Sequence, residues 1–287
     1  MTMSMERLAT SIKRFEQRRQ NEGLKPNTVR SYTKCVRAYL EWLQARKEEP
    51  NSDNAAAFLI HLKNKDYKPS TLVLYRNSIK TYFADIGMEM AHVKLPSAKL
   101  GPPKYYPVNT FKKLYAAAKD PRDRAMLSIC YTTAMRLDEL RTRQMKDYNI
   151  ADINKASVFV AGKTPEDTNA YLPLSETAVK DLKAYLATLP RALLPDEYVF
   201  HGKTPSIPMP DTTARDRMYA LKKRAGIKEP GAWHRIRHSR ATHLREQDVP
   251  LPDIQAVCRH KDPKTTMRYA RATPEYVRKT LQGKDVI

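Results

Sequence analysis

The sequence predicts a mainly α-helical protein with a small β element, arranged as two domains. Three observations predict it. Apolar residues recur at three- and four-residue spacing through most of the chain. Two short runs near the middle, joined by a polar turn, read as a pair of strands. Residues 91–107 hold four prolines and one glycine with few large aliphatics, which is the composition of a domain boundary.

Four helices account for residues 1–95. The first runs from about Met5 to Gln20, with Leu8, Ile12 and Phe15 on one face and Gly23 as its stop. Asn27 or Thr28 caps the second, whose stripe is Val29, Tyr32, Val36, Tyr39, Leu40 and Leu43. Pro50, Asn51, Ser52 and Asp53 break the chain and cap a third, with Ala57, Phe58, Ile60 and Leu62. Pro69 and Ser70 open a fourth, carrying Leu72, Leu74, Tyr75, Ile79, Tyr82 and Phe83. A linker over 96–107 leads to a second domain over 108–287.

In that second domain Asn109 and Thr110 cap a helix over 111–118, and another spans 122–134. Strands are expected at 157–160 and 170–174. Ser175 caps a helix with Val179, Leu182, Tyr185 and Leu186. Asp211 or Thr212 caps the next, rich in Lys and Arg toward its end. Helices near 233–246, 252–258 and 263–270 follow, and Thr273-Pro274-Glu275 starts a last one.

The charge narrows the partner. The 287 residues carry 52 Lys and Arg against 31 Asp and Glu, a net charge of +21. The excess is spread, +8 over residues 1–100 and +13 over 101–287, so it is not a basic tail on a neutral body. Its densest stretch, 221–240, has seven Lys/Arg and one Glu. A polyanion is the expected partner, nucleic acid first, because cations on phosphates release condensed counterions. At 41% hydrophobic the chain is not of the disordered class. No apolar run is long enough to span a bilayer, and the first fifteen residues show no secretory leader, so no membrane role and a cytoplasmic location are expected. Cys35, Cys130 and Cys258 are scattered, which argues against a disulfide scaffold or a cysteine-built metal site.

Four segments carry polar residues suited to chemistry on a phosphate. They are Arg136-Leu137-Asp138-Glu139-Leu140, Gly162-Lys163 in the turn between the strands, His234-Arg235-Ile236-Arg237-His238 running on to Ala241-Thr242-His243-Leu244, and Arg259-His260 followed by Thr265-Thr266-Met267-Arg268-Tyr269. In order and spacing they resemble the tyrosine recombinases, the phage-integrase family, and its compact Xer-like and small integrase members in particular. Pro26-Asn27-Thr28-Val29-Arg30-Ser31-Tyr32 is similar to the start of that family's helical, SAM-like core-binding domain. The resemblance covers nearly the whole chain. It implies that the second domain is a mixed α/β, mostly helical catalytic domain.

The resemblance implies a site-specific DNA recombinase. Tyr269 matches the nucleophile that forms a 3′-phosphotyrosyl bond; Tyr276, in the next helix, is the neighbouring competitor. Arg136 and Arg237 match the pair that holds the non-bridging oxygens, a task suited to the guanidinium fork. Glu139 would orient Arg136. Lys163 matches the general acid for the leaving 5′ oxygen, with Lys155 as a near alternative. His234 and His260 match the two histidine positions that move a proton or donate to the phosphate. No cofactor and no metal are required, since the bond energy is stored in the covalent link. The partners implied are double-stranded DNA and further copies of the chain, as a DNA-bound dimer or tetramer, with residues 273–287 exchanged between protomers. Candidate DNA contacts are Lys25, Asn27, Thr28, Arg30, Lys68, Ser70 and Arg76 in the first domain, and Lys222, Lys223, Arg224, Arg235 and Arg240 in the second.

The chain departs from the family pattern at Met135 and Arg259, where glycine is usual, and at Arg240, where an apolar residue is common. Two other readings use the same residues. A type IB topoisomerase-like enzyme would relax DNA without a site requirement. A catalytically inactive DNA-binding protein would bind and never form an adduct.

Overall fold

Two separate groups of apolar cores organise the chain. The computed structural model describes residues 5–96, 101, 103–161 and 169–270, and the chain divides into compact units over 1–100 and 101–287. Residues 162–168, with Gly162 and Lys163, and 271–287, with Tyr276, lie outside the described residues. The turn between the strands, the last expected helix and the segment proposed for exchange fall there.

The first unit is built from α1 (Met5–Asn21), α2 (Pro26–Arg46), α3 (Ser52–Asn64) and α4 (Pro69–Asp85). Their stripes meet in one core that includes Leu8, Phe15, Val36, Tyr39, Phe58, Leu59, Ile79 and Phe83. Asn51 caps α3, its Oδ1 accepting the Asn54 N–H at 2.8 Å. Helix α2 starts in the same way as α4, which opens at Pro69 as expected, instead of at the expected cap. Each begins at a proline, preceded by Lys25 and Lys68 respectively, so Asn27 and Thr28 lie in the first turn and not at a cap. Proline fixes φ near the helical value and lacks the N–H that a cap would satisfy.

The second unit surrounds α6 (Pro121–Thr133). Ala125 through Cys130 of α6 are all buried, so this helix is covered all round and is the centre of the core. Helix α5 (Val108–Ala117) and helix α8 (Glu176–Leu186) pack against it. Tyr106 is fully buried in the same core, so the residues just before α5 belong to this unit. Asp120 and Ser175 cap α6 and α8 through their side-chain oxygens.

Among the described residues the β element has three strands, one more than expected. β1 (Tyr148–Asn149) pairs antiparallel with β2 (Ser157–Val160), which pairs with β3 (Ala170–Pro173) in the register Val158↔Leu172 and Val160↔Ala170. Val158, Val160 and Leu172 face the core, while Phe159 and Tyr171 pair on the other face at 5.1 Å. A two-residue strand has no periodicity to read, which is why β1 was not foreseen. On the unit's chemical side lie α10 (Trp233–Glu246) and the shorter α7 (Leu137–Arg141), α11 (Leu251–Cys258) and α12 (Pro263–Ala270). Helix α9 (Asp211–Arg224) follows Pro210, which takes the position expected for Asp211 or Thr212.

Candidate active site

Helix α6 ends at Ala134, whose φ of +50° is left-handed, and the chain turns there through buried Met135 to Arg136. Arg136 stands at the start of α7, and Glu139 lies three residues on. Glu139 Oε2 accepts the Arg136 backbone N–H at 2.8 Å, and Glu139 Oε1 accepts from Arg136 Nη1 at 2.7 Å. This is one half of a capping box, the N3 carboxylate reaching back to the first N–H, with a guanidinium held in addition. Arg259 Nη2 donates to the same carboxylate at 2.5 Å, so Glu139 carries two arginines. Burial raises the Glu139 carboxyl, but the Arg259 and Arg136 charges and the Arg136 N–H outweigh it and hold it below the usual range.

Arg237, on α10, is 2% exposed. Its Nη1 donates to the Ala134 carbonyl at 2.6 Å and its Nη2 to the Cys258 carbonyl. Both carbonyls lie at helix C-termini, where the helix dipole favours a cation. Arg237 thereby ties the turn that leads to Arg136 to the turn that presents Arg259 and His260. The opposite side of α10 is anchored structurally. His243 Nε2 donates to the Tyr106 carbonyl at 2.8 Å, and its Nδ1 accepts from Tyr131 Oη at 2.9 Å. Ser239 Oγ accepts the Tyr106 N–H at 2.8 Å.

Tyr269, on α12, is 4% exposed and packs against Ala134, Ala241, Leu244, Ile254 and Cys258. Its Oη lies 2.5 Å from His238 Nδ1. The His260 ring lies parallel to the Tyr269 ring, 6.1 Å between centroids, and His260 Nδ1 is 2.9 Å from Thr266 Oγ1. The His234 ring meets His238 edge-on at 4.5 Å. Burial lowers both histidines beside the tyrosine, His238 to about 3 and His260 to about 4, with neighbouring positive groups adding to it. Both are therefore neutral near pH 7. Burial also raises the Tyr269 hydroxyl, so this tyrosine keeps its proton until a base takes it.

Arg136, Glu139, Arg237, His234, His260 and Tyr269 are thus brought into one linked cluster. His238 belongs to it and was not among the candidate residues. Its signal was its place one helical turn from His234 and directly after Arg237. Arg259, noted only as a departure, is also part of it. Lys163 falls outside the described residues.

The candidate DNA contacts divide. Lys25, Asn27, Thr28, Arg30, Lys68, Ser70, Lys223 and Arg224 are exposed, and Arg76 is half-buried. Lys222 is a correction. It is 6% exposed, and its Nζ donates to the Glu229 and Gly231 carbonyls at 2.5 and 3.1 Å, so it holds the loop before α10. Arg235 and Arg240 are half-buried and lie over the Tyr106 and Tyr131 rings at 4.8 and 5.3 Å. An open cleft of about 460 Å³ flanks the site, lined among others by Lys104, His234, Arg235, His238 and Arg268. Among the described residues there is no cluster of His, Cys, Asp and Glu able to hold a metal, and no helix long and apolar enough to cross a membrane.

The chain resembles known proteins over most of its length. The chain is 29% identical over 283 residues to tyrosine recombinase XerA of Thermococcus kodakarensis, covering 96% of this chain and 95% of that protein. It is 26% identical over 278 residues to tyrosine recombinase XerD of Listeria monocytogenes, covering 88% and 90%. Among solved structures, XerH recombinase bound to palindromic difH in a post-cleavage complex matches with a TM-score of 0.75 at 16% identity, over 98% of this chain and 84% of that one. A lambda integrase dimer bound to a core site matches at 0.66, also at 16% identity, over 91% and 94%. The N-terminal SAM-like domain of phage integrases matches residues 12–89. The phage integrase family model matches residues 105–275, more than half of the sequence and the whole of the cluster just described, and the chain belongs to that family of tyrosine recombinases.

Proposed function

We propose that the chain is a site-specific recombinase that breaks and rejoins duplex DNA through Tyr269. The observation that carries this reading is the contact between Tyr269 Oη and a neutral His238, with His260 stacked on the ring and Arg136 and Arg237 beside them. The tyrosine oxygen attacks the phosphorus of one strand. The new bond is O(Tyr)–P, and the P–O5′ bond breaks. The tyrosine proton passes to a histidine, and the 5′ oxygen takes a proton from a general acid, for which Lys163 is the reading by family position. The free 5′-hydroxyl of a partner strand then reverses the step. The reaction exchanges one ester for another, so it needs no nucleotide or metal.

Arg136 and Arg237 neutralise charge growing on the non-bridging oxygens. Arg237 does this from a fixed position, because two backbone carbonyls hold it. Arg136, with its side chain 45% exposed, has room to turn from Glu139 toward a phosphate. Exposed Lys25, Arg30, Lys68, Lys223 and Arg224 are read as phosphate contacts that set position, while groove contacts choose the site. We take the active form to be a tetramer on DNA, with residues 273–287 exchanged between protomers, working in the cytoplasm on nucleoid DNA.

The test uses a nicked suicide duplex containing the crossover sequence mapped from recombination junctions. A covalent protein–DNA adduct is expected from the wild type and none from Tyr269→Phe. An adduct that survives Tyr269→Phe, or no adduct from the wild type, overturns the reading.

A further inference from the structure

We infer that Arg259 is a positioning residue: a buried counter-ion that takes over the charge of Glu139 and so releases Arg136 to the scissile phosphate. The inference rests on the recombinase reading above.

The geometry is a shared carboxylate. Glu139 Oε1 accepts from Arg136 Nη1, and Oε2 accepts from both the Arg136 backbone and Arg259 Nη2. The two arginines are not equivalent. The Arg259 side chain is 16% exposed and the Arg136 side chain 45%. When a phosphate arrives, the exposed guanidinium is the one free to turn, and the buried one stays on the carboxylate. With Arg136 alone, Glu139 would compete with the phosphate for one guanidinium, and turning would strand a half-buried carboxylate. With Arg259 in place, Glu139 keeps an ion partner throughout.

The charge count points the same way. Arg136, Arg237 and Arg259 against Glu139 leave two positive charges at the site. A phosphodiester brings one negative charge, and its five-coordinate transition state concentrates more on the non-bridging oxygens. The backbone adds an independent observation. Arg259 has φ +50° and ψ +52°, the left-handed conformation that glycine adopts freely and arginine does not. The carbonyl just before it, on Cys258, holds Arg237. One strained turn thus places Arg259 on Glu139 and fixes Arg237 as well.

The experiment measures adduct formation on the same suicide duplex at saturating DNA. It uses wild type, Arg259→Gly, Arg259→Gln, Arg259→Lys, Glu139→Gln and the double variant Glu139→Gln/Arg259→Gly. Adduct from the wild type and its loss in Tyr269→Phe test the underlying reading; only the Arg259 variants test this inference. Arg259→Gly and Arg259→Gln are expected to slow cleavage 10- to 100-fold, with DNA affinity within threefold. The Arg259→Gly melting temperature is not expected to fall, because glycine relieves the turn. Arg259→Lys is expected to recover part of the rate. In the Glu139→Gln background, loss of Arg259 is expected to cost less than threefold. A second substrate has one non-bridging oxygen of the scissile phosphate replaced by a methyl group, which removes the charge Arg136 must meet. On it the Arg259→Gly defect is expected to shrink to under threefold. Cleavage within twofold of wild type in Arg259→Gly overturns the inference. So does a defect that persists undiminished both in the Glu139→Gln background and on the neutral substrate.

Discussion

At the scale of single residues, the site depends on histidines that stay neutral. His238 Nδ1 lies 2.5 Å from Tyr269 Oη, and the His260 ring is parallel to the Tyr269 ring. His238→Phe keeps an aromatic ring and removes the proton acceptor. It is expected to slow adduct formation about 100-fold, the scale of a lost general base, with DNA binding kept; single-turnover cleavage checks this. The same two groups contribute to a stability profile, along with His234 and His243, which burial also lowers. The folded-state values of His238 and His260, about 3 and about 4, lie below the ordinary histidine value near 6.5. Between those limits the unfolded chain binds protons that the folded chain does not. Stability therefore rises with pH across that window and is fully present above it. The melting temperature is expected to fall as pH drops from 7 toward 4, and to fall less steeply in His238→Phe. A parallel fall in both proteins refutes the assignment to His238. The sequence showed the histidines but not their division of labour. His243 shares the same helix, yet it joins Tyr131 to the Tyr106 carbonyl and serves packing. Only burial and partners separate the two, and neither is written in residue type.

At the scale of elements, the site is assembled where helices stop. Helix α6 ends at Ala134, α11 ends at Cys258, and Arg237 of α10 reaches both carbonyls. Arg237→Ala is therefore expected to do more than stop cleavage. Losing two charged hydrogen bonds inside the protein costs about 3 kcal/mol, read as a shift of the denaturation midpoint. Arg136→Ala, with its exposed side chain, is expected to stop cleavage with a far smaller shift. Lys222 makes a similar contrast with its neighbours in α9. Its ammonium holds the Glu229 and Gly231 carbonyls before α10, so Lys222→Met is expected to cost about 2 kcal/mol of stability. These elements were mostly legible in advance. Apolar spacing marks α1 to α4 and α8, and Ser175 and Asn51 cap as their residue type suggests. The misreadings have local causes. Proline at a first helical position displaces the expected cap of α2, and β1 is too short to show alternation. Lys222 read as surface charge because its neighbours are, although its own place on α9 faces inward.

At the scale of the whole molecule, +21 charges on 287 residues must be divided between fixed and solvated roles. Arg136, Arg237 and Arg259 belong to the site, Lys222 to the loop before α10, and Arg235 and Arg240 lie over tyrosines. What remains for phosphates is the exposed set, which includes Lys25, Arg30, Lys68 and Lys223; Arg224, although exposed, is also paired with the buried Asp123. Each phosphate contact releases condensed counterions, so the logarithm of affinity falls with the logarithm of salt by about 0.9 per contact. Lys223→Ala is expected to reduce that slope by up to about 1 and to weaken binding evenly across DNA sequences. Lys222→Met is expected to leave the slope unchanged, although it is a neighbour in sequence and loses the same charge. Equilibrium binding from about 50 to 200 mM salt distinguishes them. If Lys222→Met lowers the slope as much as Lys223→Ala, its ammonium reaches DNA after all, and the division of charge made here fails. If only the exposed cations change it, the excess charge is a set of separable tasks: a few groups fixed by hydrogen bonds, the others free to follow the phosphate backbone.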